Sequence, residues 1–156
     1  MDKRRPELEI LKRLELYFSL RQLNKAIRRF SDVFEHDYDT AIIFLTVAEA
    51  GFRSIVHLAA TEADIEQFEK IYMDEATVGL TLLSIGEASG IPRETVRRKV
   101  KWLIERDFLA ASNNNKSIYL PLSTVGDQRF VDIFSAHSAD VVQLVKTIQF
   151  YVKSGT

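Results

Sequence analysis

The chain has 156 residues, with 21 Lys+Arg against 22 Asp+Glu and a formal net charge of −1, and at this length one domain, or one domain with appended helices, is expected. A composition that is 46 % hydrophobic and 28 % charged excludes a disordered chain. No cysteine is present, which excludes disulfides, thiolate metal sites and thiol nucleophiles.

From 6 to about 30, Leu8, Leu11, Leu14, Leu16, Leu20, Leu23, Ile27 and Phe30 recur in steps of mostly three and four, which predicts a helix. Pro6 suits its first turn, where a missing N–H costs nothing. Asp37 or Asp39 can cap a second helix carrying Ile42, Ile43, Leu45, Val47 and Ala48, with a stop or bend at Gly51. Residues 52–60 are apolar again. Thr61-Glu62-Ala63-Asp64 reads as the start of a helix running to about 73, and 76–80 as a connector.

Residues 82–89 predict a short helix, Gly90-Ile91-Pro92 a turn, and 93–106 a second helix with Val96, Val100, Leu103 and Ile104 on one face. Strands are expected at 109–112 and 117–120 around Asn113-Asn114-Asn115-Lys116, whose asparagines tolerate left-handed backbone. Helical patterning resumes after Ser123, with a break near His137-Ser138. Six glycines and three prolines favour long helices over a many-turned sandwich. Met1-Asp2-Lys3-Arg4-Arg5-Pro6 leads into a charge-studded segment, so no secretory leader is expected. The longest apolar run, 41–48, is too short for a membrane span. A cytoplasmic protein with no membrane partner is the expectation.

Helix, glycine turn, helix and two-strand hairpin together make the plan of a winged helix-turn-helix. The expected fold class is mainly α, with a small β-hairpin wing and long N- and C-terminal helices. Gly86 allows the two short helices to cross closely, Gly90 supplies turn freedom, and Ile91 fills the space beneath. Five basic residues fall within the nine positions 93–101, against one acid. Arg93, Glu94, Arg97 and Arg98 are candidates for base contacts, since Arg pairs bidentately with guanine and Glu accepts from cytosine N4. Thr95, Lys99, Lys101 and, at the hairpin tip, Lys116 are candidates for phosphate contacts, with the Lys3-Arg4-Arg5 arm as an addition.

Ile91-Pro92-Arg93-Glu94-Thr95-Val96-Arg97-Arg98-Lys99-Val100, followed by Leu103-Ile104-Glu105-Arg106-Asp107-Phe108-Leu109, resembles the recognition helix and first wing strand of bacterial winged-helix regulators. Arg93-Glu94-Thr95-Val96 with Arg98 is similar to the base-reading run of cyclic-AMP-receptor-type regulators, which implies Arg93, Glu94 and Arg98 as base readers. Nothing upstream resembles the nucleotide-binding β-roll of those proteins. The overall plan resembles the MarR family, in which two helices precede the motif and C-terminal helices dimerise. Leu122-Ser123-Thr124-Val125-Gly126 resembles the junction after the wing there. The likeness covers about 81 to 126, and the stretch 57–77 is longer than its MarR counterpart.

These readings divide the chain into an N-terminal helical region, 1–78, for dimerisation or an effector; a winged helix-turn-helix region, 79–122; and C-terminal dimerisation helices, 123–156. Residues 1–30 carry net +5, 31–78 net −9, 79–122 net +3 and 123–156 net zero. Such asymmetry points to nucleic-acid contact. The acidic segment reads as a solvated face turned from DNA, or as a surface for a basic partner. The terminal helices pack on each other or form a homodimer, as the MarR resemblance implies and as half-sites ~34 Å apart require. Phe44, Phe52, His57, Phe68 and Tyr72 are candidates to line a small-molecule effector pocket between helices; such a set also serves as core. The scattered histidines His36, His57 and His137 give no metal set. No nucleophile motif, phosphate loop or dinucleotide glycine run is present, so no enzyme and no cofactor is expected. The expected function is a sequence-specific DNA-binding transcriptional regulator, with helix 93–106 in the major groove of double-stranded DNA and the 109–120 wing on the flanking backbone. The alternative is a winged helix that makes only protein contacts.

Overall fold

The computed structural model describes residues 5–59, 79–114 and 116–154. These are mainly helical, with one two-stranded antiparallel hairpin among the described residues. The order is α1 (Arg5–Val33), α2 (Tyr38–Ala59), α3 (Leu82–Ser89), α4 (Arg93–Glu105), β1 (Ala110–Ala111), β2 (Ile118–Tyr119), the short α5 (Leu122–Val125) and α6 (Gln128–Ser154). The helix expected at 61–73 falls outside the described residues. The chain forms two compact units, Met1–His36 with Gln128–Thr156, and Asp37–Asp127.

In the first unit α1 and α6 pair antiparallel. Phe34 meets Phe130 with ring centroids 6.3 Å apart, and Phe30 meets Phe134 edge-on at 5.3 Å. Further along the seam, Asp140 accepts Lys25 Nζ at 3.3 Å and lies 2.8 Å from Arg29 Nη1. Desolvation works to raise the Asp140 pKa, but hydrogen bonds from Arg29 and Lys25 outweigh it and hold the carboxyl below its ordinary value. The break expected near His137-Ser138 is absent, and α6 is continuous. Neither residue is a helix breaker, and the cost of each relative to Ala is about half a kcal/mol.

Two helices can bury only one stripe of each other. Leu16, Tyr17, Leu20 and Leu23 of α1 are left 51 to 61 % exposed, at helical spacing. On α6, Val142, Val145 and Phe150 are exposed as well. No described helix is long and apolar enough to cross a membrane.

The second unit is built on Ile43, Phe44 and Val47 of α2, Ile85 of α3, Val96, Val100 and Leu103 of α4, and Leu109, Ile118 and Leu120 of the hairpin, all buried. Helix α2 runs straight through Gly51, where a stop or bend is expected from sequence. A mid-helix glycine costs about 0.5–1 kcal/mol, too little to end a helix that buries Val47 and Ala48 just before it. The strand ladder is shorter than expected. Ala110 pairs with Tyr119 and Ala111 with Ile118. Leu109 stays out because its N–H turns back to the Leu103 carbonyl, at 3.4 Å. A further backbone pairing comes from the segment read as a connector, where Leu80 and Ile118 exchange both N–H···O bonds at 2.8 Å.

Candidate nucleic-acid interface

Thr81 caps α3, its Oγ1 accepting the Ser84 N–H at 3.1 Å. The helix ends at Gly90, which sits left-handed at φ 71° and donates its N–H to the Gly86 carbonyl at 3.0 Å. A Cβ on Gly86 would stand 3.4 Å from the Ile91 carbonyl oxygen and 4.0 Å from Val96 Cγ2. Both are ordinary van der Waals distances, and the nearer is to the turn backbone, not to the facing helix. Gly90→Ala should cost about 1 kcal/mol, all of it from left-handed backbone, because a Cβ there would meet nothing within 4 Å. A chemical-denaturation midpoint equal to wild type would contradict this.

Pro92 occupies the cap position of α4, one residue before the helix, at φ −55°, and its carbonyl accepts the Val96 N–H at 3.0 Å. Val96, Val100 and Leu103 turn inward, so at about 100° per residue Glu94 and Arg98 lie on the opposite face. The far end is locked. Asp107, at φ 58°, donates its N–H to the Ile104 carbonyl at 3.0 Å, and Phe108 donates to the Leu103 carbonyl at 2.9 Å. This is the paired-bond helix stop in which an αL residue satisfies the last carbonyls. Thr124, buried, donates its hydroxyl to the Asp107 carbonyl at 2.9 Å, tying α5 to the same turn. Trp102 packs on Phe108 and carries the Arg106 guanidinium 4.0 Å over its ring.

Arg93, Glu94, Arg97 and Arg98 are all exposed on α4. Arg93 and Arg98 make no ion pair among the described residues. Arg97 is engaged by Glu94: its Nε donates to Oε2 at 3.0 Å and its Nη2 to Oε1 at 2.5 Å. The Arg97 hydrogen bonds hold Glu94 ionised, below its ordinary pKa. Lys101 is exposed, with Nζ 3.7 Å from Glu105 Oε1, and Thr95 is half-buried.

Lys99, expected at a phosphate, is turned to another neighbour. It forms an ion pair and hydrogen bond with Asp37 at the start of α2. Asp37 also caps that helix, its Oδ1 accepting the Thr40 N–H at 3.1 Å. Burial tends to raise the Asp37 pKa, but the bonds from Lys99 and Thr40 prevail and lower it. A depressed native pKa adds stability above the unfolded value and loses it as pH falls through the native one. Asp37→Asn keeps an oxygen for the cap and loses the charge. It should cost about 0.5–1 kcal/mol at pH 7. Urea unfolding at pH 7 and at progressively lower pH should show the gap to wild type closing below the ordinary carboxylate range; a constant gap would contradict the pairing.

At the hairpin tip Asn114 works through its side chain, with its Oδ1 accepting the Lys116 N–H at 3.0 Å and the Ser112 hydroxyl at 2.7 Å. Neither Asn113 nor Asn114 uses the left-handed backbone that asparagine tolerates. The Lys116 side chain is exposed. Of the residues named for an effector pocket, Phe44 is 1 % exposed and part of the core, and Phe52 is half-buried. Phe68, Tyr72 and the side chain of His57 lie outside the described residues. A groove of about 630 Å³ opens elsewhere, floored by Leu82, Val100, Ile104 and Ile118, with Arg97 and Lys101 on its rim. His36 Nδ1 lies 3.3 Å from Asp32 Oδ1 on an exposed turn. No group of three or more metal-binding side chains is found among the described residues.

Sequence reasoning did not single out Asp37 as a partner of α4 or Leu80 as a partner of the hairpin. No family model, no curated protein and no solved structure matches the chain.

Proposed function

We propose that the chain is a sequence-specific DNA-binding transcriptional regulator of winged helix-turn-helix type, similar in plan to MarR proteins. The observation that carries this reading is the two-sided α4. Val96, Val100 and Leu103 anchor one face in the core, while Arg93, Arg98 and Lys101 stand exposed. In helix-turn-helix proteins the second helix enters the major groove and its N-terminal residues meet base edges. Arg93 and Arg98 would read bases, Lys101 and Lys116 would meet phosphates, and Lys99 would serve inside the protein. The pairing of Leu80 with Ile118 supports the wing by tying the hairpin to the segment before α3 through a single bridge.

The exposed stripe Leu16, Leu20 and Leu23 on α1 supports a homodimer, because an apolar row at helical spacing is the kind of surface that a partner covers. A specific observation favours the second reading, a protein-interaction module. Arg97, Lys99 and Lys101 each already face a carboxylate, which reduces the positive field of α4. A gel-shift titration against fragmented genomic DNA at two salt concentrations separates the two. The regulator retains a subset of fragments and weakens as salt rises. A chain that shifts nothing at low ionic strength would contradict the regulator reading and leave the interaction module.

A further inference from the structure

We infer that Glu94 is a positioning residue for Arg97, fixing which edge of that guanidinium is offered to a base, and does not itself read a cytosine. This rests on the DNA-binding reading and names the work of one residue within it. A guanidinium has two donor edges. The side edge is Nε–H with one Nη2–H, and the end edge is an Nη1–H with the other Nη2–H. Glu94 occupies the side edge, with Nε at 3.0 Å from Oε2 and Nη2 at 2.5 Å from Oε1. Both carboxylate oxygens are thus committed to Arg97. The end edge stays open, and its two parallel donors match O6 and N7 of guanine.

The helix explains why Arg97 needs such a partner. Three residues on from Glu94, it lies about 60° round the helix from it, on the flank towards the apolar groove it helps to line. A long side chain on that flank has many rotamers, and ordering it at the base edge costs conformational entropy. The tie to Glu94 holds the guanidinium towards the exposed centre of α4 before DNA arrives. Arg93 and Arg98 have no such tie among the described residues.

The test is a double-mutant cycle read on base preference. Wild type, Glu94→Ala, Arg97→Ala and the double variant are each selected on a randomised duplex pool, and affinities for the preferred duplex and its single-base variants are measured. Unfolding midpoints serve as a control; both side chains are exposed, so folding is retained. Glu94→Ala should lose about tenfold in preference for one guanine, the same one that Arg97→Ala abolishes, and leave every other position intact. The double variant should be no worse than Arg97→Ala. A Glu94→Ala variant that relaxes a different position, or losses that multiply in the double variant, would overturn the inference while leaving the DNA-binding reading in place. Failure of the wild type to select any duplex would overturn both.

Discussion

Leu103→Ala lowers the free energy of unfolding by about 2–5 kcal/mol, the range for truncating a closed core site. Leu103 is completely buried, in a unit whose buried residues come from α2, α3, α4 and the hairpin. Its carbonyl also accepts the N–H groups of Phe108 and Leu109, which end α4 and start the path to β1. The cavity would therefore open under the helix that carries the arginines, at the end where the hairpin is joined. Urea denaturation followed by far-ultraviolet circular dichroism measures the loss. A change below about 1 kcal/mol would show that the site collapses freely and does not anchor α4.

Arg98→Ala should weaken binding to the preferred duplex by about 1–3 kcal/mol, which is roughly fivefold to 150-fold, without moving the unfolding midpoint. Arg98 lies opposite Val96, Val100 and Leu103, exposed and without an ion pair among the described residues. Its guanidinium is free to make a bidentate base contact at no cost in broken protein bonds. The loss should appear as relaxed preference at one base position. An equal loss on every duplex tested would make Arg98 a phosphate contact, and the salt slope would then flatten with it.

What was legible in the sequence follows from where the physical constraint resides. Gly90 and Pro92 limit the backbone directly, and Val96, Val100 and Leu103 set a helical phase, so turn, helix and inward face can be read locally. α1 and α2 follow from periodicity in the same way. The Lys99–Asp37 pair could not be read, since its partners are 62 residues apart and only the tertiary packing of α2 against α4 joins them. Leu80 was invisible as a strand element for a related reason: a single bridging residue has no alternation to detect. The Glu94–Arg97 pair is different. Its spacing of three is a standard helical contact, but the same two residues also suit base edges or a solvated face, and spacing alone does not choose. Gly51 and His137-Ser138 show the opposite limit: their local helix cost is small, and the burial and length of α2 and α6 override it.

The near-neutral total charge also takes on a more definite meaning. Of the five basic residues on α4, only Arg93 and Arg98 make no ion pair among the described residues, and Arg98 still lies in the field of Glu94. Non-specific attraction to DNA should accordingly be weak, and affinity should depend on a fitted site.

The most direct test is an amide chemical-shift map of the isotope-labelled chain titrated with a duplex that it selects. Shifts should concentrate on Arg93, Glu94, Arg97, Arg98 and Lys101 of α4 and on Lys116 at the hairpin tip, while the buried residues of α2 stay in place. Shifts centred on another surface, or none at any duplex concentration in low salt, would contradict it.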